Sequence, residues 1–354
     1  MRPLASARIG YAGYSRDFSA PGDRRRFSAY ARQRGLAYDF PDLWSDYDVV
    51  LVAQNADLTG WTARKREMGD KLRLILDLTD PYIGEDRLSL RLLMGVGRYV
   101  EGRESRLSPD FRRTLTQACR AADGVLCSTP EQRETLARYN SNIEVSFDWF
   151  DDELGPPKRD FRRDRRLKLV WEGQAGQLPN LQQLREPLNA LKDRVELIVV
   201  TDPVTKRWFG RFGTIPSEEH LSGIEAPVTL VPWSRADFSN HIVAADVAVI
   251  PIDLSHPIWR GKPENKLVLL WKLGMPVLVA PTPAYRRAMA SAGLDLVCAT
   301  PDEWARKLAD LTAAPPEKLM ELGRRSRDFA ERAYDVVAFR APFDALFAKL
   351  GFSV

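Results

Sequence analysis

The seven residues from Arg260 to Lys266, RGKPENK, place Arg260, Lys262, Glu264, Asn265 and Lys266 between two apolar runs. The run before them, 247–251, reads as a buried strand, and the run after them, 267–273, reads as a helix stopped by Gly274. A helix that starts here directs unpaired backbone N–H groups, the positive end of its dipole and two lysine charges at one spot. That combination suits an anion, and above all a phosphate. Solvated lysines on an ordinary loop have the same composition; the convergence of Gly261, both lysines and Asn265 on one helix start sets the ligand on an equal footing with that alternative. Three other segments could do chemistry. The loop EGQAGQ at 172–177 centres on Gly173 and Gln174, whose turn could let a ligand approach the backbone closely or could simply turn the chain into a helix. Trp233 stands at the end of an apolar run, VPW. Asp77 and Asp80, in DLTDPY at 77–82, close another run with two carboxylates, and Asp80 could orient a hydroxyl, act as a base or cap the following turn.

These segments need elements to hold them. Short runs rich in Val, Ile and Leu alternate with helical patterns, the signature of βα units around a mostly parallel sheet. In the first half strands are expected near 8–11, 48–53, 72–78, 124–127 and 142–145. Helices fill the gaps, including 109–121, with Phe111, Leu115 and Ala118 on one face, and 130–139, opened by Pro130 and capped by Thr129. The rhythm restarts with strands near 167–171, 195–200, 228–231, 247–251, 276–280 and 295–297, and the tail from Pro301 is helical in three pieces. Ligands of open α/β sheets gather at the carboxyl ends of strands, where the four segments lie.

A chain of 354 residues exceeds one ordinary hydrophobic core, so two domains are expected. The stretch 148–166 combines acidic residues, GPP and a basic run, and reads as the boundary. The expected division is a Rossmann-like domain over 1–150, a linker over 151–166, a second Rossmann-like domain over 167–333 and a terminal helix over 334–354 that packs back on the first domain. Three cysteines, Cys119, Cys127 and Cys298, form no CxxC pair, which fits a reducing, cytoplasmic setting without disulfides or structural zinc. No signal peptide or run of about 18 apolar residues is visible. With 52 basic against 48 acidic side chains the net charge is only +4, which does not call for nucleic acid. The arginines at 24–26 and the basic run at 158–168 could touch anionic headgroups at a membrane, but such runs are more often solvated faces. The three histidines, His220, His241 and His256, form no HExxH, and neither GxSxG nor a Walker loop occurs, which removes the main support for hydrolase and ATPase chemistry. No metal site or cofactor is expected.

The block 245–285 resembles the C-terminal domain of the retaining GT-B glycosyltransferases, in which a donor loop and helix end in a Gly-x-Pro-Val step. GMPV at 274–277 matches that step, and ADVAVIPI at 245–252, the turn at 169–173 and ADGVLCSTP at 122–130 extend the likeness over most of the chain. The resemblance implies an α/β GT-B fold, two Rossmann-like domains facing a central cleft. It also implies a metal-independent, retaining transfer from a nucleotide-sugar donor on the C-terminal domain to a glycan, lipid-linked or protein acceptor on the N-terminal one. Donor contacts would fall to Gly173, Gln174, Trp233 (at the nucleobase), Arg260, Lys262, Glu264, Asn265 and Lys266, and Asp80 would serve the acceptor or the chemistry. Two family glutamates, eight residues apart, correspond to Gly261 and Leu269, so both carboxylates are replaced here. Two alternatives therefore stay open: a GT-B protein that binds a glycan or partner without turnover, and a nucleotide-sugar epimerase of the same fold.

Overall fold

The computed structural model describes residues 1–161, 166–206 and 213–354. The chain divides into two compact units. The first comprises Met1–Trp149, Gly261–Pro263 and Tyr334–Val354, and the second comprises Phe150–Arg260 and Glu264–Ala333.

The sheet of the first unit is parallel, with strands in the order Ile9–Ala12, Val49–Ala53, Arg73–Leu78, Gly124–Cys127 and Ile143–Val145. The second and fourth are continuous apolar runs, and the third is one apart from Arg73 and Asp77, because helices cover both faces. Asp39 forms a parallel bridge to Gly10 outside the first strand: the Tyr11 N–H donates to its carbonyl at 2.8 Å and its own N–H donates to the Ile9 carbonyl at 3.2 Å. The winding therefore reverses between Ile9–Ala12 and Val49–Ala53. One face packs on Leu58–Met68 and Phe111–Ala121, the latter opened by Asp110, which accepts from the Arg113 N–H. Its other face is closed by Phe27–Arg34 and by the C-terminal helix Val336–Lys349, which buries Phe339, Phe343, Leu346 and Phe347. Asp335 caps that helix through the Ala338 N–H at 2.7 Å, and Tyr30 stacks on Phe343 at 4.6 Å. The chain end then runs beside its beginning, Phe352–Ser353 pairing in parallel with Arg2–Pro3.

In the second unit the order is Val228–Pro232, Val195–Thr201, Leu167–Glu172, Val247–Ile250 and Val277–Val279, again all parallel. In chain order this is 3-2-1-4-5, the doubly wound pattern, and its reversal lies between Leu167–Glu172 and Val247–Ile250. The sixth run expected at 295–297 is reduced to one bridge, Val297 to Val279. Two features depart from the sequence reading. An antiparallel pair, Val204–Lys206 with Thr214–Pro216, too short to show a period, was not expected. The expected linker is docked on the second unit at least as far as Phe161. The Lys158 N–H donates to the Leu273 carbonyl at 2.8 Å, its ammonium donates to the Val243 carbonyl at 3.2 Å, and Phe161 is buried. Burying that ring and the lysine stem favours a docked segment over a free one. Residues 162–165 of the expected linker and of the basic run lie outside the described residues.

Candidate functional site

At the reversal of the second sheet the strand Leu167–Glu172 delivers the chain into Gly173. The Lys266 ammonium, from the first turn of the helix Asn265–Lys272, donates to the Glu172 carbonyl at 2.5 Å and lies 5.1 Å from the centroid of the buried Trp171 ring. A β-carbon on residue 173 would overlap that ammonium and press on Trp171. Glycine here makes room for the lysine, so the turn and the cation are one device. Gly274, in the left-handed region at φ 75°, ends the helix, with its N–H donating to the Trp271 carbonyl at 2.8 Å.

Beside this turn, between the carboxyl ends of the first two strands of the unit, a hollow of about 460 Å³ is lined by Gln174, Ala175, Gly176, Asp202 and Thr205 among others. Its volume suits a nucleotide-sized ligand. Asp202 is exposed there, one residue beyond the end of Val195–Thr201, where a carboxylate can accept from a ribose diol. The sequence reading passed over Asp202, although the polar pair Thr201 and Asp202 after an apolar run was the available signal.

The remaining expected donor residues are spread more widely. Arg260 is exposed at the end of the short helix Pro257–Arg260, and Asn265 is the first residue of its helix. Glu264 is buried and turns to Arg287, whose guanidinium donates to it at 2.9 Å, so it serves an ion pair within the unit. Trp233 follows the outermost strand and stacks on Phe238 at 5.6 Å, a packing role at the sheet edge. Leu269, at one lost glutamate position, is buried in the core.

Lys262 has a different partner from Lys266. It belongs with the first unit, and its ammonium donates to Asp80 Oδ1 at 2.7 Å. The two lysines four residues apart therefore do not form one bare cationic pair; the charge of Lys262 is already matched. Burial acts to lower the Lys262 pKa, but the adjacent Asp80 carboxylate outweighs it and holds the ammonium above its ordinary value. Gln54 fixes Asp80 from the other side, donating from Nε2 to Oδ2 at 3.2 Å and accepting the Asp80 N–H at 2.9 Å. Gln132 Nε2 donates to the Asp80 carbonyl at 3.2 Å. The carboxylate is thus positioned by one amide and a cation, and the backbone that carries it by a second amide. Asp77, expected beside it as a second accessible carboxylate, is fully buried against Arg26, whose Nε donates to both of its oxygens at 2.8 and 2.9 Å. Arg26 is likewise buried, with Asp148 at 3.5 Å, and not part of a solvated basic face: two carboxylates and the Ser146 carbonyl compensate its desolvation.

The first sheet has its own reversal, after Ala12, and its loop is already filled. The Asp23 carboxylate accepts the N–H groups of Tyr14 at 2.7 Å and Ser15 at 3.0 Å, the Ser15 hydroxyl at 3.0 Å and the Tyr11 hydroxyl at 2.9 Å. Donors that could meet a phosphate are spent on a buried side chain of the protein. Among the described residues, no group of three or more His, Cys, Asp or Glu side chains is placed to hold a metal ion.

No family model matches the sequence, and no curated protein matches it. Solved structures do. Sucrose-phosphate synthase from Thermosynechococcus elongatus superposes with a TM-score of 0.58 at 13% identity, over 92% of this chain and 76% of that one. An α,α-trehalose-phosphate synthase from Burkholderia vietnamiensis gives 0.57 at 13%, over 86% and 71%. TarM gives 0.59 at 10%, with 84% of this chain covering 54% of that one, so the chain spans about half of TarM. Identities this low carry the architecture alone. With two doubly wound parallel sheets and a C-terminal helix returning to the first unit, the chain has the GT-B fold of these glycosyltransferases.

Proposed function

We propose that the chain transfers a sugar from a nucleotide-sugar donor, held by the second unit, to a glycan, lipid-linked or protein acceptor. The observation that carries this reading is the Lys266 ammonium seated against the Gly173 turn at the reversal of a doubly wound sheet. Breaking the bond between the anomeric carbon and the diphosphate leaves negative charge on the diphosphate. A preorganised ammonium, the exposed guanidinium of Arg260 and the N–H groups at Asn265 are suited to stabilise that charge without a metal. Gln174 and Asp202 would face the nucleoside. A nucleoside diphosphate of the uridine type is the first choice of probe, because a structure of S. aureus TarM was determined with UDP and the B. vietnamiensis enzyme is described as UDP-forming. Asp80 would orient the acceptor hydroxyl, with Lys262 and Gln54 holding the carboxylate in place. Retention of configuration rests on the family resemblance.

The second reading, binding without turnover, is favoured by the Lys262–Asp80 pair, in which each group neutralises the other, and by Gly261 and Leu269 at the positions where the family resemblance implies glutamates. Incubation with a panel of nucleotide sugars separates the readings. Release of nucleoside diphosphate supports transfer. Saturable binding without release supports the binding module, and interconversion of the sugar while the diphosphate stays attached supports an epimerase.

A further inference from the structure

The helix Leu88–Val100 in the first unit is turned the wrong way for a water-exposed element. Leu88, Leu92, Leu93, Val96, Tyr99 and Val100 are 39–58% exposed. At 100° per residue they share one arc of about 140°, which holds only Ser89 besides. Arg91, Met94, Gly95 and Arg98 form the inner side; Arg98 is buried on Glu104 at 2.7 Å, and Arg91 pairs with Asp110. Ion pairs thus face the protein and apolar side chains face outward, and Leu107, 56% exposed, extends the apolar surface past the helix end. A contiguous outward face of this kind marks an interaction surface.

Its rim selects the partner. Arg87 and Arg103 are exposed but matched, pairing with Glu85 and Glu101 at 2.8 Å each, so the positive charge bordering the face comes from the exposed Arg106 and Arg66 beyond its end. Asp86, the exposed acid of the border, is matched by Arg112 at 2.7 Å. Next to Leu107 a hollow of about 190 Å³ is lined by Arg66 and Arg106 together with Thr59, Thr62 and Ser108, and among the described residues no carboxylate lines it. Two guanidiniums and several hydroxyls around a small hollow suit a phosphate-bearing headgroup. Among the described residues no helix is long and apolar enough to cross a membrane. A helix of about 20 Å with an apolar face and two exposed guanidiniums beside Leu107 instead suits one that lies in the interface. We propose that this face docks the first unit on an anionic lipid surface, with Leu88–Val100 in the acyl boundary and Arg106 against headgroup phosphate.

Co-sedimentation of the full chain with vesicles tests this, using phosphatidylcholine alone and phosphatidylcholine mixed equally with phosphatidylglycerol. The expected result is binding to the anionic vesicles at least about tenfold tighter than to the neutral ones. The double variant L92Q/V96Q, at positions already facing water, should keep its melting temperature and lose about tenfold or more. Arg106→Gln should lose about fivefold on anionic vesicles and almost nothing on neutral ones, the value of one cation near such a surface. Wild-type protein that binds neither vesicle, or a double variant that binds as well as wild type, would overturn the proposal. So would a wild-type oligomer that L92Q/V96Q disperses without any vesicle binding, which would assign the face to a second copy of the chain.

Discussion

Replacing Lys266 by Met removes the ammonium while keeping an unbranched apolar stem beside Trp171. The Glu172 carbonyl loses a donor at 2.5 Å, a net cost to the fold of about 0.5–1.5 kcal/mol, which in a chain of this size is a shift of about 1–2 degrees in Tm. The cost to a bound diphosphate is larger, because a charge-assisted hydrogen bond to an anion contributes about 1.5–3 kcal/mol, or about ten- to a hundredfold in Kd. Calorimetric titration with UDP and with uridine separates the two effects. Lys266→Met should weaken UDP by that factor and leave uridine unchanged, since the ammonium meets only the phosphates. Lys272→Met is the control: its ammonium pairs with Asp151 at 2.5 Å, so its loss should lower Tm and leave UDP affinity intact. Equal UDP affinity in wild type and Lys266→Met, or equal loss for UDP and uridine, would refute the reasoning.

Gly173→Ala should displace the Lys266 ammonium and lower UDP affinity toward the Lys266→Met value, and the double variant should be little worse than either single one, because both act through the same cation; additive losses in titration would contradict this. Asp80→Asn should cut turnover with UDP affinity nearly unchanged and the Gln54 contacts retained; an unchanged rate in the nucleotide-sugar assay would remove Asp80 from the chemistry. The hydrogen bond from Arg91 holds the Asp110 carboxyl below its ordinary value, so its stabilising contribution is complete above the ordinary carboxylate range and is lost as pH falls through the lowered value. Asp110→Asn keeps a helix-capping side chain, and its Tm deficit against wild type should shrink from neutral pH toward about pH 2; a constant deficit would deny the ion pair that role.

Both sheets were legible because their inner strands, such as Val49–Ala53 and Val247–Ile250, are buried on two faces and read as unbroken apolar runs. Gly274 and the capping Thr129 were legible for a local reason, since a left-handed φ and a side-chain cap depend on one residue. Partners were not. Spacing places Lys262 and Lys266 before and at a helix start, but the fold pairs one with Asp80 and the other with Glu172. Arg26 sits in a run of three arginines that reads as surface, and only the fold brings Asp77, 51 residues away, against it. Asp23 likewise looks like a loop residue, and nothing local shows that it fills the first switch point. The outward face of Leu88–Val100 was hidden because an apolar stripe on an amphipathic helix reads as the side turned to the core.

The claim that the second unit carries the donor predicts where a nucleotide must be found. Determination of a crystal structure with a bound nucleoside diphosphate tests it most directly. The account predicts the diphosphate within hydrogen-bond distance of Lys266 Nζ, beside the turn at 173–176, with the ribose toward Asp202. A diphosphate bound instead at the loop after Ala12, with Asp23 displaced from the N–H groups of Tyr14 and Ser15, would contradict it.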